Sequence, residues 1–116
     1  MGFMDWLSSK GPAGKIARGV HGQFIDLKRR HPEMSEEEIA KALFLHGYST
    51  GKSLNKMEQI RINKYFEDDS KIASIYDLCM AIIDIELNIT ERDDKAFEMA
   101  RKVVVNELNK LGYTIY

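Results

Sequence analysis

The chain has 116 residues, 44% of them hydrophobic and 30% charged, with a formal net charge of −1. That length suits one domain with a core of its own, and the composition is that of an ordinary globular protein. A near-neutral chain makes no electrostatic case for nucleic acid or an anionic surface, and its single cysteine excludes an internal disulfide.

The first 66 residues are net basic and the rest net acidic, a dipole that helps two halves of one bundle attract. No unbroken apolar run in the most apolar stretch exceeds Leu78–Ile83, far short of the ~20 residues a bilayer requires. No secretory leader pattern opens the chain. A cytoplasmic protein without a transmembrane segment is expected.

At the start, Phe3, Met4, Trp6 and Leu7 cluster on one side of a short helical turn. Residues 8–14 contain Gly11, Pro12 and Gly14 and read as a flexible hinge, so 1–14 form an apolar turn with its hinge and 15–116 the bundle. Lys15–Arg30 reads as a helix, with Ile16, Val20, Phe24 and Leu27 at helical spacing. Lys28, Arg29 and Arg30 favour its C-terminal dipole, and Pro32 stops it.

Ser35-Glu36-Glu37-Glu38 is a capping box, and Met34 with Ile39 makes a hydrophobic staple. The helix it opens should run to about His46, with Ile39, Ala42, Leu43 and His46 along one side. Gly47 then suits a left-handed cap, with Tyr48 folding back on Leu43. After a loop at 49–53, Leu54, Met57, Ile60, Ile62, Tyr65 and Phe66 mark a less regular helix. Residues 67–70 close that helix and cap the next.

The organising stretch is 72–89, of which thirteen of eighteen residues are apolar. Ser74, Asp77, Ala81, Asp84 and Asn88 fall on one narrow helical stripe, expected to face water. The remaining arc is apolar apart from Glu86 and must be wrapped by other helices. A last helix starts at Thr90 as N-cap, with Phe97, Ala100, Val104, Leu108 and Leu111 inward, and exits at Gly112-Tyr113. Val103-Val104-Val105 is the one strand-like triplet, and helical periodicity on both sides outvotes it. The expectation is therefore an all-α, single-domain bundle of about five helices around a buried central helix at 72–89, with a short N-terminal helical turn.

No motif in the chain completes a catalytic or metal site. Gly47–Ser53 resembles a phosphate loop, but three residues separate its glycines where four are required, and a helix precedes it. Cys79 sits among apolar neighbours, which suits packing and not nucleophilic attack. His21, His31 and His46 have no partner at ligand spacing. The acidic run at 67–69 lacks the glycine of a calcium loop.

No cofactor, no metal and no enzymatic activity are expected. The leading function is protein–protein interaction, with itself or with a partner, through Phe3, Trp6, Leu7, Tyr113 and Tyr116. The alternative is nucleic-acid binding by Lys28, Arg29, Arg30, Lys52, Lys56 and Arg61 on a helix pair spanning 35–66. Glu36, Glu37 and Glu38 oppose that reading, as does a pI of about 6.3.

Overall fold

Among the described residues each amphipathic segment forms a helix, and four helices pack around a fifth. The structure is a computed structural model that describes residues 11–48, 56–89 and 94–115. In chain order the helices are α1 (Pro12–Arg30), α2 (Glu36–Tyr48), α3 (Lys56–Glu67), α4 (Ile75–Leu87) and α5 (Asp94–Lys110). A single 3-10 turn, Asp69–Lys71, separates α3 from α4. There is no strand among the described residues, and none of the described helices is long and apolar enough to cross a membrane.

α4 is the axis. It packs against α1, α2, α3 and α5, and α1 packs in turn against α2 and α5. Its Ile75, Leu78, Cys79, Met80, Ala81, Ile83 and Ile85 are all buried. Ile72 and Ile89, beyond its two ends, are buried as well. The helix is thus shorter than the apolar stretch 72–89 that announces it. Ser74 is the N-cap, its hydroxyl accepting from the Asp77 amide at 3.1 Å. Asn88 ends the helix in the left-handed region at φ 60°, a conformation its short polar side chain tolerates. Residues 67–70 do not cap α4. The Asp68 carboxylate accepts from the Ser70 amide and hydroxyl inside the intervening turn instead.

The other starts divide the same way. The capping box forms as expected: the Ser35 hydroxyl accepts from the Glu38 amide at 3.1 Å, and the Ser35 amide donates to the Glu38 carboxylate at 3.0 Å. The Ser35 amide first, and then the Ser35 hydroxyl, hold the Glu38 carboxyl below its ordinary range. By contrast, α1 starts at Pro12, inside the expected hinge. Proline at the first helical position lacks only an amide that would have no partner there. Ala13, Gly14 and Ala17 then form a buried small-residue face ahead of Val20 and Phe24.

Two Gly-Tyr pairs behave oppositely. At Gly112, φ is 102°, and the Tyr113 and Gly112 amides donate to Leu108 and Asn109 carbonyls at 3.0 and 3.2 Å. That is a Schellman exit. Gly47, expected as a left-handed cap, is helical, and α2 runs through Tyr48. The Tyr48 ring packs one turn back on Phe44, centroids 5.0 Å apart, and its hydroxyl donates to Glu86 at 3.1 Å. These contacts hold the last turn helical. They also correct the inner line of α2, which is Ile39, Ala40 and Phe44, with His46 exposed. Residues 103–105 are helical, with Val104 fully buried.

Candidate functional site

The middle of the stripe on α4 faces protein, contrary to expectation, while Asn88 at its end is exposed as expected. Ala81 and Asp84 are buried, and Asp77 is half-buried with its carboxylate accepting from the Ala73 amide at 3.1 Å. Asp84 is only 3% exposed. A buried carboxylate requires partners, and those come from one successive face of α3. The Tyr65 hydroxyl donates to Asp84 Oδ2 at 2.7 Å, and Lys64 Nζ lies 2.9 Å from the same oxygen. Arg61 donates to the Asp84 main-chain carbonyl at 2.8 Å. The same guanidinium sits 3.6 Å from Oδ1, close enough for an ion pair but beyond hydrogen-bonding distance, so Oδ1 is buried without a hydrogen bond.

The residues flanking this clip make α3 the least buried of the helices. Ile62 is its one buried side chain. Tyr65 and Phe66 rest on the Phe44 ring of α2, centroids 5.6 and 5.2 Å away. Met57 and Ile60, one turn apart, are exposed to solvent. At the N-terminal end of α3 a cleft of about 440 Å³ opens against α4, lined by Met57, Glu58, Arg61, Ile85, Glu86 and Asn88. A smaller cleft, about 260 Å³, lies between α1, α2 and α4, with Leu43, Phe44, Leu78 and Ile82 in its wall and Gln23, His46 and Tyr48 at the polar positions.

On another side of α4 the polar groups are fewer. Cys79 is fully buried, and burial pushes its thiol up to about 12. Its carboxy-terminal neighbour in space is Tyr113, whose hydroxyl is pushed above the ordinary range by burial first and then by Glu36 and Cys79. Tyr113 makes a 3.0 Å hydrogen bond with His21 Nδ1. Between α1 and α5, Arg18 donates to the buried Glu107 at 2.8 Å, and Lys110 stands 3.7 Å from its second oxygen.

Of the residues expected to bind a partner, Phe3, Trp6, Leu7 and Tyr116 lie outside the described residues, and Tyr113 is half-buried against His21. The basic set is not brought together. Lys28 donates to the Pro32 and Met34 carbonyls at 2.8 and 2.6 Å, locking the α1–α2 turn. Arg30 pairs with Asp26 at 2.7 Å, and Arg61 turns inward to Asp84. Arg29 and Lys56 are exposed; Lys52, the 49–53 loop and Thr90 lie outside the described residues. No group of three or more potential metal ligands forms among the described residues.

Two features escaped sequence reasoning. Asp84 stands between Ile83 and Ile85, a local signal for burial that its regular spacing with Asp77 concealed. Met57 and Ile60 matched a helical period, which does not say how many sides of a helix find a neighbour. Comparison with protein-family models, with curated proteins and with solved structures gave no match.

Proposed function

We propose that the protein works by binding protein through the outward side of α3, with a second copy of the chain as the partner. One observation carries the reading: Met57 and Ile60, one helical turn apart, stand 60% and 55% exposed, and Met57 lines a cleft whose other wall includes Ile85. Large apolar side chains beside a cleft are the usual make-up of an interface centre. A net charge of −1 leaves little repulsion between copies.

The reading involves no catalytic step, metal or cofactor. A buried thiol with a raised pKa is a poor nucleophile, and Asp84 is engaged by Tyr65, Lys64 and Arg61. It places the chain in the cytoplasm, where a lone thiol stays reduced. The nucleic-acid reading is weaker because Lys28, Arg30 and Arg61 are spent on their own chain, leaving no basic stripe from this set among the described residues.

Sedimentation velocity of the full chain from micromolar to millimolar concentration tests the proposal. It expects a mass-action dimer that Ile60→Lys disperses while the unfolding midpoint of the dilute monomer stays put. A monomer throughout, or a dimer indifferent to Ile60→Lys, overturns it.

A further inference from the structure

We propose that α3 is a strap that lifts from α4 as a unit, hinged at the Asp69–Lys71 turn and parting along the Asp84 seam. This inference does not rest on self-association and concerns the opposite, inward side of the helix.

Four observations carry it. Asp84 is a buried carboxylate whose side-chain partners all come from α3: Tyr65, Lys64 and Arg61. A desolvated ion pair returns much of its desolvation cost when it separates into water, so a polar seam opens more cheaply than an apolar one. Asp84 Oδ1 already lacks a hydrogen bond in the closed state, and Lys64 is 44% exposed along its side chain, so its route to solvent is short. Apolar anchorage is thin, since Ile62 is the one buried side chain of α3. A cleft of about 440 Å³ also opens at the end of the seam far from the hinge, lined by Met57, Glu58 and Arg61 on α3 and by Ile85, Glu86 and Asn88 opposite.

The fourth observation is that α4 does not need α3 in order to start. Ser74 caps it, and Glu36 of α2 accepts from the Ile75 amide at 3.0 Å. Asp68 and Ser70 close the hinge turn locally. Lifting α3 therefore leaves α4 helical on α1, α2 and α5. It uncovers the Phe44 ring together with the Asp84 carboxylate, an apolar patch and a charge that the closed state hides.

Native-state amide hydrogen exchange at low urea reads the motion helix by helix. In the wild-type chain α3 amides should exchange at least about tenfold faster than those of α4, with a weaker urea dependence. Two substitutions separate independent lifting from global unfolding. Val104→Ala, fully buried on α5, should speed exchange in α4 and α5 about tenfold or more and leave α3 unchanged, because the lifted state keeps that contact. Tyr65→Phe, which loses its bond to Asp84 on lifting and on unfolding alike, should speed exchange in α3 and α4 by the same factor, about tenfold. If α3 exchanges at the rate and urea dependence of α4, or if Val104→Ala speeds both equally, the bundle opens as one body and the strap does not exist.

Discussion

Cys79 and Asp84 lie about 140° apart around α4, and the two sides of that helix are closed by different means. Around Cys79 the contacts are apolar, and the nearest titratable groups answer by staying neutral: the thiol is pushed up to about 12 and the Tyr113 hydroxyl also upward. Around Asp84 the closure is polar: Tyr65, Lys64 and Arg61 hold its carboxylate by a hydrogen bond and ion pairs. Both residues are buried to nearly the same degree. Burial alone therefore does not measure how firmly a surface is shut; what counts is what the groups regain in water once it opens. Arg18 and Glu107 are a milder case of the polar kind, at the rim of the α1–α5 contact and not on α4 itself.

Truncations should expose the contrast most strongly. Leu78→Ala, on the axis at 1% exposure, should cost about 3–4 kcal/mol, the range for a buried leucine whose surroundings relax little. Ile62→Ala should cost only about 2 kcal/mol, because α3 at the edge can settle into the space. Urea melts of both variants check the order; equal losses would make α3 as integral as the axis.

The all-helical fold was legible because it rests on local signals. The capping box at Ser35, the left-handed exit at Gly112 and the period of α1 and α5 need only nearby residues. The errors arose where a distant partner decides. Nothing around Gly47 reveals that Glu86 receives the Tyr48 hydroxyl and that the helix therefore continues. Spacing put Asp84 with Asp77 on a wet stripe, while Tyr65, nineteen positions earlier, brought it indoors. The expected binding residues at the start of the chain lie outside the described residues, whereas the exposed pair on α3 became visible only once α4 was seen to take a single face of that helix.

Smaller effects sharpen the role of the caps. Ser74→Ala and Ser35→Ala should each cost about 1 kcal/mol, the first loosening the axis and the second the start of α2, as melts and helix-resolved exchange would report. Acid should weaken the second cap. The Glu38 carboxyl is held below its ordinary value of 4.5, chiefly by the Ser35 amide and then by the Ser35 hydroxyl. A depressed pKa contributes stability above the unfolded value, and that contribution fades as the pH falls through the folded value. The wild-type chain should thus lose slightly more stability than Glu38→Gln between pH 5 and the acid limit, with the two curves converging at the bottom.

The most direct test of the difference between the two sides is labelling of the native Cys79 thiol, the chain's own probe of the apolar side. Its labelling rate is measured against urea concentration and converted to an opening free energy. If α3 lifts while the rest of α4 stays covered, that free energy equals the global unfolding free energy at every urea concentration, and it exceeds the value from α3 amides. Labelling of Cys79 at the low opening free energy of α3 would contradict the account, because lifting one helix would then uncover the whole axis.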